Sequence, residues 1–144
     1  MASASALGVV SAAVLTALRA ASSVIALVPA ARIVDEVPAR PTYPYVLVEV
    51  SGETPFNTMG APSALKWGSE STVLVRVVSQ YRGDQEVTQI LSPIKAALDG
   101  QPLVVPGYAT ASVSFESAQL LKDTLTGVVT RELVASFSVL VHQS

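Results

Sequence analysis

Residues 71–100 leave the chain few folds to choose from. Ser71–Ser79 alternates, with Val73, Val75 and Val77 on one side and Thr72, Leu74 and Arg76 on the other. A period of two marks a strand with one buried face. Gln80-Tyr81-Arg82-Gly83-Asp84 ends the alternation. Val87, Ile90, Leu91, Ile94 and Leu98 then fall on one stripe of a helix. Asp84 or Gly83 caps that helix, Glu86 sits in its positively polarised first turn, and Gly100 supplies the C-terminal stop. A strand followed at once by an amphipathic helix requires a sheet with a helical layer on one face. Pro93 conflicts with a straight helix, because it removes a backbone donor at a cost of about 3 kcal/mol. A kink or break is therefore expected at Leu91–Pro93.

The rest of the chain extends this unit. Ser5–Ala20 reads as a helix, with Ser3 or Ser5 as cap and Leu7, Val10, Val14, Leu15 and Leu18 on one face. A helical turn, Ser22–Val28, stops at Pro29. Ile33-Val34 is a short strand or link, and Asp35-Glu36-Val37-Pro38 a turn. Tyr45–Val50 alternates as a strand. Residues 51–70 hold Gly52, Pro55, Asn57, Gly60, Pro62 and Gly68, the composition of a long loop or an extended hairpin. Pro102–Val105 reads as a strand, followed by a Pro106-Gly107 turn. Ala109–Leu121 and Gly127–Val141 form a hairpin around Lys122–Thr126. Pairing about that turn sets Phe115 opposite Ala135 and Val113 opposite Phe137, with Ser112, Ser114, Glu116, Ser136 and Ser138 on the other side. The expected fold is α+β: a mainly antiparallel sheet of about four strands with two helices packed on one face, in one domain spanning 1–144 with a protruding loop at 51–70. Val75, Val77, Ile90, Ile94, Leu98, Val113, Phe115, Leu133 and Phe137 are its expected core.

Composition narrows the function. The 144 residues contain no cysteine and one histidine, His142, which excludes disulfides, thiolate chemistry and Cys-based zinc sites. Net charge is −2, which argues against a surface built to grip nucleic acid. Charged residues make up only 14% of the chain, against about 25% in ordinary soluble domains. Such a chain exposes apolar surface, and apolar patches mark contacts with other chains. Residues 2–18 are uncharged, but no basic start precedes them, and Arg19 interrupts the run before the ~20 residues a membrane span needs. They read as a small-residue helix packed in protein, and no membrane partner is expected.

No motif supports catalysis. A Gly-x-Ser-x-Gly elbow, a phosphate-binding Gly-rich loop and a dinucleotide fingerprint are all missing. Asp35 and Glu36 are adjacent, so on a strand they point apart, and a solvated turn is the simpler reading. No catalytic, cofactor-binding or metal-binding residue is assigned, and no cofactor is expected. Lys66, Arg76 and Arg82 form no basic cluster; solvent or a neighbouring carboxylate is their expected partner. Phe56, Met59 and Trp67, apolar residues in the long 51–70 segment, are the candidate interface anchors.

Five segments in a fixed order carry a resemblance: Arg32-Ile33-Val34-Asp35-Glu36-Val37-Pro38, Tyr43-Pro44-Tyr45-Val46, Ser79-Gln80-Tyr81-Arg82-Gly83, Ala96-Ala97-Leu98-Asp99-Gly100 and Phe115-Glu116-Ser117. From Leu7 to Val141 the chain resembles the tail-completion, or tail terminator, proteins of long-tailed phages and gene transfer agents. Pro93 and the length of the 51–70 segment depart from that pattern. The resemblance implies a non-enzymatic virion protein at the tail–neck junction, assembled in the bacterial cytoplasm. It implies a ring, of six copies, that caps the tail tube and docks the head connector. Its partners would be copies of itself, the tail tube protein and a head-side stopper or adaptor, with DNA passing through the lumen without specific binding. Another neck component is the nearest alternative. A monomeric ligand-binding or enzymatic α+β domain is the alternative from a different class.

Overall fold

The computed structural model describes residues 7–37, 39–56, 68–80, 84–106, 110–123 and 130–142. Helix α1 (Leu7–Ala20) opens the chain and α2 (Ser22–Ile25) follows. Helical bonding continues past α2, with the Val28 N–H donating to the Val24 carbonyl at 2.9 Å. Pro29 and a 3-10 turn, Ala30–Arg32, lead into β1 (Ile33–Val34). The long strands β2 (Tyr45–Phe56) and β3 (Gly68–Ser79) come next, then α3 (Gln85–Leu98), β4 (Thr110–Asp123) and β5 (Thr130–His142).

The sheet has five strands in the order β1-β2-β3-β5-β4. All neighbours are antiparallel except β1 and β2, which run parallel over Ile33↔Val46 and Val34↔Leu47. The architecture is thus α+β with a mixed five-stranded sheet and three helices, a fuller version of the expected four strands and two helices. The extra strand is two residues long, too short to show a period. It is held from outside the sheet: the Arg19 Nε donates to the Ile33 carbonyl at 2.9 Å.

Alternation decides which side of the sheet is covered. Val46 and Val48 of β2, Val73, Val75 and Val77 of β3, Leu133, Ala135, Phe137 and Val139 of β5, and Val113 of β4 all join one buried cluster. The helices complete it with Val10, Val14 and Leu18 from α1 and Val87, Ile90, Ile94 and Leu98 from α3. Burying a side chain of this size contributes about 1.5–3 kcal/mol, so this layer dominates stability. Helix α3 ends as its sequence requires. Gly100 adopts a φ of 71°, and the Gln101 N–H closes on the Leu98 carbonyl at 3.1 Å.

Four expectations are corrected. Helix α3 runs unbroken through Pro93. Its buried stripe on both sides of the proline, Val87 and Ile90 before and Ile94 and Leu98 after, holds the element together against the lost hydrogen bond. The final hairpin pairs Phe115 with Phe137 and Val113 with Val139, two residues from the expected register. Up to Phe115 the shift is two, which keeps each side chain on its face and escapes alternation; past the bulge Ala118↔Ala135 and Leu120↔Leu133 stand three residues off, so β4 turns over there. The Pro102–Val105 strand is reduced to one bridge, Pro102↔Ser112. Phe115 is only partly buried, because it lies on the edge strand; the Lys95 ammonium covers its ring at 4.2 Å, and Phe137 meets it edge-on at 5.5 Å.

This difference between two phenylalanines is measurable. Phe137 is 0% exposed in the middle of the sheet. Phe137→Ala is expected to cost ~3–5 kcal/mol in urea melts, and Phe115→Ala clearly less. Equal losses would contradict the assigned register.

Candidate assembly surface

Half of the sheet has no cover among the described residues. The side facing away from the helices carries Tyr45, Leu47 and Glu49 from β2, Leu74 and Arg76 from β3, and Glu132, Val134 and Ser136 from β5, all half-buried. On β4 it carries Ser112 and Ser114, both exposed. Serines and charged side chains keep this face tolerable in water, with Leu47, Leu74 and Val134 among them.

One charged group organises the centre. The Arg76 guanidinium donates from Nε to Glu49 Oε1 and from Nη1 to Glu132 Oε1, the latter at 2.8 Å. Glu49 lies opposite Leu74, and Glu132 opposite Val78. The three residues therefore form a diagonal across β2, β3 and β5. Those bonds, first to Glu132 and then to Glu49, hold Arg76 more firmly in its charged form. The expectation that Arg76 meets a neighbouring carboxylate is met twice. Beside it, burial and then the charges of Tyr43 and Glu132 push the Tyr45 phenol above its usual range, so it stays neutral. A shallow cavity of about 550 Å³ opens here, with Tyr45, Arg76, Leu121 and Glu132 on its wall. Both carboxylates are engaged by one guanidinium, which leaves the group a net charge of −1. Such a surface is suited to contact.

A second concavity, of about 460 Å³, lies in the helical layer. Helix α1 forms one wall with Val9, Ala13 and Ala17, and the segment after α3 forms the other with Pro102, Leu103 and Val104. No ionisable side chain lines it.

The sequence-named residues fall elsewhere. Phe56 is the last residue of β2, paired with Gly68. Its side chain, and the whole of Met59 and Trp67, lie outside the described residues, as do Lys66, Arg82 and the Pro106-Gly107 turn beyond Pro106. The expected protruding loop at 51–70 is corrected at both ends: 51–56 and 68–70 are strand, so β2 runs six residues past Val50 and the hairpin alternative holds there. Asp84 and Glu86 stand at the start of α3, but the Asp84 side chain makes no capping hydrogen bond, and both residues serve tertiary contacts. Asp84 accepts from Arg131 at 3.3 Å, and Glu86 accepts from the buried Ser79 hydroxyl. Asp35 and Glu36 are exposed in a bend. The sequence missed the Arg76 diagonal because its partners lie 27 and 56 residues away along the chain.

The diagonal is open to a double-mutant cycle. Arg76→Met and Glu132→Gln, alone and together, are expected to show a coupling of about 0.5–1 kcal/mol in urea melts, the range for a half-exposed pair. A coupling of zero would mean that the network is decoration on a sheet held by its valines alone.

The comparisons agree with this architecture. A chain from the solved virion of a native gene transfer agent particle superposes with a TM-score of 0.76 at 22% identity, covering 97% of this chain and 99% of that one. A second solved structure gives a TM-score of 0.56 at 18% identity, covering 93% and 94%. At such identities the likeness is one of fold. No curated protein matches the chain in sequence. The family model of tail completion protein gp17 matches residues 12–142, nearly the whole length. The chain belongs to the tail completion protein gp17 family.

Proposed function

We propose that this chain closes the end of a tail tube as a ring and presents the surface on which the head connector docks. Membership of the family makes it a structural protein of a phage-like virion tail. The observation that carries the finer reading is the uncovered sheet face on a chain with only 14% charged residues. A two-layer domain with one half-apolar face in water reaches its lowest free energy when copies or partners cover that face. Closed assemblies of identical chains through unlike surfaces are rings, and six copies is the number the resemblance implies.

The mechanism is recognition with no chemical step, so no enzymatic activity is proposed. The tube protein is recognised from one side of the ring and a head-side stopper or adaptor from the other, at the tail–neck junction. Assembly takes place in the bacterial cytoplasm. DNA passes through the lumen without being gripped, consistent with a net charge of −2 and with two carboxylates around the single arginine at the centre of the open face. Among the described residues no helix is long and apolar enough to cross a membrane.

The 57–67 segment, with Phe56 and Trp67 at its borders and Met59 within it, is the proposed reach of each subunit towards a neighbour. Strand pairing runs to Phe56↔Gly68, so a short Gly-containing turn in place of 57–67 leaves every described contact intact. A virion system lacking this gene is expected to yield separate heads and tails, rescued by the full chain. The shortened chain is expected to melt like the full chain and to fail to join heads to tails. Normal particles without the gene would overturn the function; normal particles with the shortened chain would overturn the role of the segment.

A further inference from the structure

Most of the described carboxylates are already engaged. Glu49 and Glu132 hold Arg76, and Asp84 accepts from Arg131. Glu86 accepts from the Ser79 hydroxyl, Glu53 from the Ser69 hydroxyl, and Asp99 from the Phe115 N–H. Asp35, Glu36, Glu70 and Glu116 have no such partner among the described residues, and all are exposed.

The cations divide in the same way. Arg76 and Arg131 hold carboxylates, Arg19 donates to the Ile33 carbonyl, and the Lys95 ammonium lies over the Phe115 ring. Arg32 reaches only the Tyr43 carbonyl, at 3.5 Å, and Arg40 and Lys122 have no partner among the described residues. Arg32 and Arg40 line one small cavity of about 90 Å³, with Val34, Thr42 and Tyr45 among its other walls. Asp35 and Glu36 lie between the two arginines in sequence, but they do not line it. A cavity with two arginines and no carboxylate on its wall favours an anion. A carboxylate fits best, because its two oxygens match the guanidinium fork. The net charge of −2 argues against a nucleic-acid phosphate in its place.

The sheet indicates which carboxylate. Val34 places the cavity beside β1, at one edge, and Glu116 lies on β4, the opposite edge. Four strand spacings, about 19 Å, separate the two edges, so the groups do not meet within one chain. Asp35 and Glu36 belong to the cavity's own edge, and Glu70 to the central strand. Lys122 lies on the same strand as Glu116 and offers no link between opposite edges. Glu116 is also the extra residue of the bulge between Phe115 and Ser117, without a partner on β5. Bulges of this kind re-aim a side chain at the rim of a sheet. Opposite charges on opposite edges are the parts of a head-to-tail contact, the kind that closes into a ring.

We infer that the Glu116 carboxylate of one copy seats between Arg32 and Arg40 of the next, and that this contact sets the register of neighbouring subunits. The inference rests on the ring reading above and specifies its interface.

Charge reversal tests it in the full chain. Arg40→Glu and Glu116→Arg are each expected to melt as the parent does, because both side chains are exposed. Each is expected to reduce ring assembly on tail tubes about tenfold or more at low salt, where exposed charges are least screened. The two single variants mixed in equal amounts are expected to assemble again, in alternation, because each then meets its opposite charge at both edges. Single variants that assemble like the parent overturn the contact, and so does a mixture no better than its components; the ring reading survives either result. Absence of rings for the unmodified chain overturns both readings. The conservative variant Arg40→Lys supplies a second readout that a loss of fold cannot imitate. Its rings, treated with a carbodiimide, are expected to yield a cross-linked peptide joining position 40 to Glu116 of the neighbouring copy. Rings that yield none overturn the contact.

Discussion

Three valines of the central strand set the terms for the whole molecule. Val73, Val75 and Val77 leave water completely, pressed between β2 and β5 on either side and the helices above. Because side chains alternate, placing these three inward forces Leu74 and Arg76 outward on the opposite face. Helices α1 and α3 are enough to roof one side of the sheet. The other side is left with what alternation puts there. The Arg76 diagonal is a response to that constraint, since it ties β2, β3 and β5 together on the side where no helix can. The charge-poor composition and the uncovered face are two views of one property, a two-layer domain with one sheet face that no described helix covers.

Much of this was legible along the chain. Period two identified the faces of β3 and β5, period 3.6 identified the stripes of α1 and α3, and Gly100 marked the end of α3. Each of these signals is local. What the sequence hid depends on geometry between distant segments. The bulge at Glu116 consumes one residue of β4, and nothing in Phe115-Glu116-Ser117 announces it. The final hairpin differs from the expected register by two residues up to Phe115 and by three past the bulge, where β4 changes faces. Strand β1 exists because Arg19 and β2 hold two residues in place, which no window of a few residues can reveal. Pro93 has a strong local preference against helix, and the packed stripe around it overrode that preference.

The candidate surface was less legible than the fold. Large apolar residues in a Gly- and Pro-rich segment pointed to Phe56, Met59 and Trp67, a reasonable inference from composition. The structure draws attention to different residues: Arg76 between two carboxylates, the bare leucines of β4, and the groove beside α1. In sequence, nothing separates Leu120-Leu121 from the rest of the strand, because exposure at the end of a hairpin depends on how far the helices reach over it. The family was legible earlier than the surface, through the order of five short segments that no single residue explains.

The most direct test is a reconstruction of the intact particle at the junction of tail and neck. A closed ring of six copies at the head-proximal end of the tail tube, with each copy's sheet face covered by a neighbour, is the predicted result. A single copy, an open filament, or a position on the head side of the junction would contradict the account.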